Sequence, residues 1–327
     1  MSAVLREILK TDSIIRLIGN TPLIKLNKFP GLSTDKQIFI KAEWFNPGGS
    51  IKDRAALCMI EEGIKSGRLS RDKIIMDSSS GNTAIAYAMI GAALGFEVEL
   101  VTPENINIER KKTLQAYGAK IIYSSPFEGS DGAILEARKL AREYPDKYFM
   151  PDQYNNISNP LAHFKSTGPE IWEQTNGEVT HFISGIGTSG TVMGAGEFLK
   201  AKNSNIQVIG VQPDDPLHGL EGLKHIPSSI KPGIYDESRL DILFSANTEE
   251  SYKIMEKLVN LEGMFVGHSG GAVVLSALKI INEVEQANIV CVIPVSEIWQ
   301  RRFTIKFRAP PIPYIIIMVV VRVYINP

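Results

Sequence analysis

Between Gln37 and Tyr144 the chain repeats one pattern: a short apolar run, a turn, and a segment whose apolar residues recur at helical spacing. The runs are Gln37–Lys41, Lys73–Asp77, Glu97–Thr102 and Lys120–Tyr123; the helical segments are Ile51–Ile64, Ala84–Leu94, Ile108–Tyr117 and Gly132–Tyr144. Short runs that are apolar throughout suit strands covered on both faces, and their alternation with helices predicts a parallel sheet between helical layers. The pattern lapses over Met150–Pro160, which is polar and turn-rich, and a short helix follows at Thr167–Gln174. Strands resume at Val179–Gly185, Gln207–Gln212 and Ala287–Pro294, with helices at Thr191–Lys200, Glu249–Leu261 and Gly270–Val284. The expectation is an α/β protein of two lobes. Residues 46–148 form the smaller, mobile one, residues 12–45 with 149–294 the larger, and a ligand binds between them at the carboxyl ends of the strands.

Four turns carry residues with chemistry to offer. In Asn46-Pro47-Gly48-Gly49-Ser50-Ile51-Lys52-Asp53-Arg54, a lysine follows a forced turn, and Ser50 reads as a helix N-cap that puts Lys52 in the first helical turn. The positive end of a helix disfavours a protonated amine, and a neutral lysine is both nucleophile and base. Ser79-Ser80-Gly81-Asn82-Thr83 joins a strand to a helix, where hydroxyls and free N–H groups suit a carboxylate and the Asn82 amide suits a phenolate-type oxygen. Gly185-Ile186-Gly187-Thr188-Ser189-Gly190-Thr191 lacks the lysine of a nucleotide-binding loop and the glycine spacing of a dinucleotide fold, and reads as a compact phosphate cup. Val266-Gly267-His268-Ser269-Gly270-Gly271-Ala272 sets Ser269 at a helix start, either as an N-cap or as a hydroxyl facing a ring nitrogen. Amine, phosphate cup, amide and hydroxyl together match pyridoxal phosphate.

Composition narrows the alternatives. With 327 residues, 44% hydrophobic and 22% charged, the chain has the balance of a soluble enzyme, and a net charge of −1 without a basic run gives nucleic acid nothing to hold. Cys58 and Cys291 lie far apart in apolar surroundings, without metal-ligand spacing, which reads as core cysteines in a reducing cytoplasm and no metal. Met1–Arg6 lacks a signal-peptide apolar region, and no apolar run reaches the roughly 18 residues of a membrane span.

The blocks IGNTPL (Ile18–Leu23), NPGGSIKDR (Asn46–Arg54), SSGNTAIA (Ser79–Ala86), PDQYNN (Pro151–Asn156), TGPEIW (Thr167–Trp172), GIGTSGT (Gly185–Thr191) and GHSGGA (Gly267–Ala272) stand in one order. In these the chain resembles the cysteine synthase family of fold-type II pyridoxal-phosphate enzymes, of tryptophan synthase β-like architecture, from about Ile15 to Pro294. The resemblance is nearest to the cysteine synthase B branch with its cystathionine β-synthase-like members. It implies that Lys52 holds the cofactor as a Schiff base and then works as acid and base at Cα. It implies that Asn82 bonds the ring oxygen, that Gly187, Thr188, Ser189, Gly190 and Thr191 hold the phosphate, and that Ser269 faces the pyridine nitrogen. Ser79, Ser80, Thr83 and Gln153 are implied to grip the substrate carboxylate, with Gly222 and Lys224 at the substrate mouth. Ser79 stands where the family usually has Thr, keeping the hydroxyl, and Ala84 where it has Gly.

The implied reaction is β-replacement of O-acetyl-L-serine with sulfide to give L-cysteine in a homodimer. O-phospho-L-serine is the rival acceptor, with Lys224 as the cation for a leaving phosphate and a solvated lysine as the plainer reading. His218 and His225 read as local hydrogen-bonding residues. The alternatives are a cystathionine β-synthase or serine/threonine dehydratase-type lyase of the same fold, and a non-catalytic cofactor- or partner-binding protein. The last gains weight from residues 295–327, which depart from the family's glycine-containing turn and end in an apolar run, Tyr314–Val321, of high β-propensity. A changed reading frame, a divergent tail and a membrane-surface anchor are the three explanations for that segment.

Overall fold

A computed structural model describes residues 13–296; residues 297–327, most of the atypical tail, lie outside the described residues. Ten strands form two sheets. The larger runs β1-β2-β10-β7-β8-β9, with β1 (Leu23–Lys25), β2 (Lys36–Ala42), β7 (His181–Gly185), β8 (Gln207–Pro213), β9 (Ile242–Ala246) and β10 (Ala287–Ile293). All its pairings are parallel except β1 with β2. The smaller is wholly parallel and runs β5-β4-β3-β6, with β3 (Ile74–Ser78), β4 (Val98–Pro103), β5 (Lys120–Ser124) and β6 (Tyr148–Phe149).

Nine α-helices lie among the described residues: α1 (Lys52–Lys65), α2 (Asn82–Leu94), α3 (Ile108–Ala116), α4 (Gly129–Glu143), α5 (Ser158–Lys165), α6 (Thr167–Gln174), α7 (Gly190–Lys202), α8 (Thr248–Lys257) and α9 (His268–Glu283). Each sheet is covered on both faces. Val273, Val274 and Ala277 of α9 pack with Ile183, Ile209 and Cys291 on one face of the larger sheet. Val192, Met193 and Leu199 of α7 pack with Phe182, Val208 and Val290 on the other. Around the smaller sheet, α1 and α2 share a cluster with Ile75 and Leu100, and Ala133 and Ala137 of α4 pack on Met76 and Val101. This double burial explains the continuous apolar runs, since neither strand face meets water.

Strand order decides where a ligand can enter. In the smaller sheet the chain lays down β3, β4 and β5 in one direction and then returns past β3 to place β6 on its other side. In the larger sheet it lays down β7, β8 and β9 and returns past β7 to place β10. At each reversal the connections leave to opposite faces and a crevice opens at the strands' carboxyl ends. The loops bordering the two crevices follow β3, β6, β7 and β10.

Three of these elements escaped the sequence reading. Helix α5 occupies Ser158–Lys165, inside and beyond the stretch read as turns, and β6 and β9 occupy runs to which no element was assigned. Strand β6 carries the smaller sheet to Phe149, and Ile15, N-terminal to β1, packs in the α1–α2 cluster.

Candidate active site

The loops after β3, β6 and β7 line one cavity of about 280 Å³, together with Pro294 and Val295 after β10 and the residues that open α1. Lys52 begins α1 and reaches this cavity. Ile51 stands just before the helix with its backbone already helical, and the Ser50 hydroxyl accepts from the Lys52 N–H at 3.3 Å, the bond that an N-cap makes. Burial lowers the Lys52 amine from 10.5 to about 8. The reason is the loss of water around the ammonium, rather than the helix end expected from sequence.

The turn before Lys52 is fixed from below. The Gly48 N–H donates to Asp53 Oδ2 at 2.6 Å, while Asp53 Oδ1 is buried without a partner among the described residues. That burial pushes the Asp53 carboxyl up to about 7. Arg54, next along, forks onto two carboxylates. Its Nε and Nη2 reach Glu43 at 2.8 Å, and Nη1 and Nη2 reach Glu170 at 2.6 and 2.7 Å. Lys41 Nζ donates to Glu170 Oε2, the Thr21 carbonyl and Gln174 Oε1, so every proton of a fully buried ammonium is used. Burial works to raise Glu170, but its bonds to Arg54 and Lys41 prevail and hold it at about 2. Two cations and two anions thus fasten β2, α1 and α6 together directly behind the lysine.

Beyond β3, Ser79 Oγ accepts from Gly81 N and Ala84 N, both at 3.2 Å, which caps α2 and leaves the hydroxyl proton free for the cavity. Helix α2 opens on Asn82, and Ser79, Ser80 and Asn82 all line the cavity. Thr83 donates to Gln153 Oε1 at 2.8 Å, and Gln153 Nε2 donates to the Ser78 carbonyl at 2.9 Å. Behind them Asp77 accepts from Ser78 N, Tyr87 Oη and Gln153 N, so the loops after β3 and β6 hang on one buried carboxylate.

Beyond β7, Gly187, Thr188 and Thr191 line the cavity. Ser189 and Gly190 sit in the same turn just behind. Ser189 has φ +72 and a buried Oγ without a partner among the described residues, and it precedes the first residue of α7. A Cβ at Gly187 would lie 2.5 Å from the Gly222 carbonyl oxygen, and one at Gly190 would overlap Asn159 Oδ1. Only glycines permit so close a cup, and its N–H groups open toward the positive end of α7. Ser269, 2% exposed, is the second residue of α9 and lines the cavity; the cap is Gly267, so the N-cap reading of this serine fails.

Gly222 and Lys224 line the cavity on its far side. Lys224 is not simply solvated: Nζ lies 3.2 Å from Asp131 Oδ1 and 5.1 Å from the centre of the Tyr154 ring. Arg110 pairs with Glu221 at 2.7 Å, and both line the cavity. These two ion pairs join α3 and α4 to the loop that follows β8, and sequence reasoning gave no role to Arg110, Glu221 or Asp131. His218 and His225 bond locally, to Leu220 N and Ser228 Oγ.

The start of the atypical C-terminal segment is part of the site. Ile51 N donates to the Pro294 carbonyl, Gly267 N to the Val295 carbonyl, and Ser296 Oγ to the Phe265 carbonyl. Residues 294–296 thus stitch the Lys52 turn to the Ser269 turn.

A half-buried lysine of lowered basicity, a glycine cup with an unpartnered serine hydroxyl at a helix start, an amide and a second hydroxyl open on one cavity. These fit a cofactor with an aldehyde, a phosphate and a polar ring. No cluster of His, Cys, Asp or Glu that could hold a metal ion occurs among the described residues.

Comparison with known proteins agrees. Over 289 residues the chain is 50% identical to the cysteine synthase of Aquifex aeolicus, covering 86% of this chain and 88% of that one. It is 41% identical over 281 residues to cysteine synthase B of Pseudomonas aeruginosa, covering 86% and 93%. The fold superimposes on the crystal structure of a cysteine synthase from Entamoeba histolytica with a TM-score of 0.83 at 35% identity, over 88% of each chain. The mixed α/β architecture with parallel sheets is that of fold-type II. Residues 14–295 match the family described as pyridoxal-phosphate dependent enzyme, and the chain belongs to that family.

Proposed function

We propose that this enzyme is a cysteine synthase of the O-acetylserine sulfhydrylase type, replacing the β-substituent of O-acetyl-L-serine with sulfide to give L-cysteine. The observation that carries the reading is the convergence on one cavity of Lys52, with its amine at about 8, and the loops from both strand-order reversals. The names of the relatives agree with it.

Residue roles follow from position. Gly187 to Thr191 would hold the cofactor phosphate, Asn82 would serve its ring oxygen, and Ser269 its ring nitrogen. A hydroxyl there, unlike a carboxylate, leaves that nitrogen without a stabilised proton. Bound pyridoxal phosphate supplies a sink for the charge that develops at the substrate Cα. Lys52 would hold the cofactor through its amine and, once freed by the binding of the amino acid, would remove the Cα proton. An amine at about 8 is basic enough to take that proton and is partly neutral at physiological pH. Ser79, Ser80 and Gln153 hold the substrate carboxylate, and Thr83 acts through Gln153, which Thr83 and Ser78 pin so that its position does not depend on substrate. Acetate leaves Cβ, hydrosulfide adds there, and Lys52 returns the proton to Cα.

Residues 46–148 act as the smaller, mobile lobe, and the Arg110–Glu221 and Lys224–Asp131 pairs span its mouth. Lys224 keeps O-phospho-L-serine in view as a second acceptor, because a leaving phosphate could take it from Asp131. The enzyme works as a homodimer in the cytoplasm. Large apolar side chains left exposed, Leu17 and Ile157 among them, support the first, and the unpaired Cys58 and Cys291 support the second. No helix among the described residues is long and apolar enough to cross a membrane.

The test is to load the purified protein with pyridoxal phosphate and measure L-cysteine formed from O-acetyl-L-serine and sulfide. O-phospho-L-serine goes in a parallel series with Lys224→Ala. Cysteine that appears only with sulfide supports the reading. Pyruvate released at the same rate without sulfide would replace it with the lyase. A loss confined to phosphoserine in Lys224→Ala would make that the working acceptor.

A further inference from the structure

His163 lies in α5, is 2% exposed, and faces a threonine hydroxyl with each ring nitrogen. Nδ1 is 2.9 Å from Thr167 Oγ1, and Nε2 is 3.4 Å from Thr191 Oγ1. Thr167 opens α6 and is fully buried; Thr191 stands in the first turn of α7 and lines the cavity. Burial above all, with Arg54 and Lys52 acting against a further positive charge and Glu170 acting for it, keeps the imidazole neutral. A neutral ring carries one N–H, and the two placements have different consequences.

With the proton on Nδ1, the ring donates to Thr167, whose own hydroxyl proton is then left in a buried place without an acceptor. Thr191 must in turn spend its proton on the bare Nε2. With the proton on Nε2, Thr167 donates to Nδ1, the ring donates to the Thr191 oxygen, and the Thr191 proton is free to turn into the cavity. The first arrangement strands a buried donor; the second satisfies every group and presents a donor to an anion.

We infer that His163 is a positioning residue of the phosphate cup: held by Thr167 with its proton on Nε2, it orients Thr191 so that the threonine hydroxyl donates to the bound phosphate. The inference rests on the reading of residues 187–191 as that cup. It gives a role to a side chain that touches neither substrate nor cofactor, and it links α5 and α6 to cofactor retention through two hydroxyls.

Protein labelled with 15N-histidine, with and without pyridoxal phosphate, reports the tautomer through its long-range 15N–1H spectrum, the His163 signals being those lost in His163→Gln. A neutral ring protonated on Nε2 in both forms is expected; a ring protonated on Nδ1, or an imidazolium, overturns the inference without need of any variant. Pyridoxal phosphate affinity and the 31P resonance of the bound cofactor are then compared in three variants. His163→Asn keeps an amide toward Thr167 and loses the contact to Thr191. It should weaken binding about tenfold, the worth of one charge-assisted hydrogen bond, and move the 31P resonance. His163→Gln, which can restore a donor to Thr191, should recover most of both. If His163→Asn changes neither while Thr191→Val changes both, the cup reading stands and the role of His163 is refuted. If Thr191→Val is silent as well, the cup reading fails and takes the inference with it.

Discussion

Lys52 offers the most direct test of the site, because its lowered basicity has a rate and a stability attached to it. With the amine at about 8 instead of 10.5, about one molecule in ten is neutral at pH 7, against about one in three thousand for an ordinary lysine, a factor of about 300. Only the neutral amine attacks an aldehyde. Apoprotein mixed with pyridoxal phosphate at a series of pH values, quenched with borohydride and scored for cofactor fixed to the chain, should show a rate rising about tenfold per pH unit and levelling off above about 8. Lys52→Ala should fix none. Free Nα-acetyl-lysine under the same conditions removes the cofactor's own ionisations from the comparison. Stability supplies the independent reading. The folded lysine sheds its proton near 8, while the unfolded one keeps it to 10.5, so between those values the unfolded state binds more protons. Apoprotein stability should therefore rise with pH across that window, and the rise should vanish in Lys52→Met. A fixation rate that climbs without a break to pH 10 would mean that the amine is an ordinary one, and the burial argument would fall.

Other consequences can be read from the neighbours of that lysine. Gly187→Ala drives a Cβ to 2.5 Å from the Gly222 carbonyl, so one of two backbone segments must retreat, and cofactor retention on dialysis should fall at least about tenfold. Asp53 holds its proton to about 7 in the fold and loses it at 3.8 when unfolded, so stability should decline as pH rises from about 4 to 7 and then level. Asp53→Asn should remove that decline, worth about 4 kcal/mol in full, of which urea melts at pH 5 and pH 8 read about 3 kcal/mol. Glu170→Gln leaves Lys41 and one side of Arg54 buried without a counter-charge, and should cost about 3–5 kcal/mol in the same melts. Ser269→Asp puts a carboxylate at the place proposed for the ring nitrogen and should raise transamination relative to replacement, as measured by pyridoxamine phosphate accumulation.

The parts of the site legible in the sequence share one local signature. Lys52, Asn82, the 187–191 loop and Ser269 each open a helix, Asn82 and the 187–191 loop directly after a strand, and such a helix start has to be written in Gly, Ser, Thr and Asn for reasons that act within a few residues. Their pattern survives without knowledge of the fold. His163, Asp77, Glu43 and Glu170 do not announce themselves, because each acts through partners far along the chain. Glu43 reaches Arg54, Glu170 reaches both Arg54 and Lys41, and Asp77 reaches Tyr87 and Gln153. The helix that holds His163 was further hidden by the asparagines before it and by Pro160 within its first turn, which is tolerated there because a first-turn N–H needs no helical partner.

The two serines read as possible caps show the limit from the other side. Ser50 bonds the Lys52 N–H as a cap does, whereas Ser269 lies two positions past the cap of its helix, Gly267. Neither helix lacks for a boundary. The Lys52 turn is closed by the bond from Ile51 to Pro294, and the Ser269 turn by the bond from Gly267 to Val295. Both boundaries are therefore set by the strand end that β10 delivers between them, some 240 residues after the first, by roughly the difference in numbering. At Ser269 a helix start fixed by a tertiary bond releases the serine from capping, and a released hydroxyl can serve a ligand. On this argument residues 294–296 do more than end the sheet: they hold the lysine turn and the ring-facing serine in one frame. A departure from the family pattern that begins at Val295, with its backbone bonds in place, leaves that frame standing.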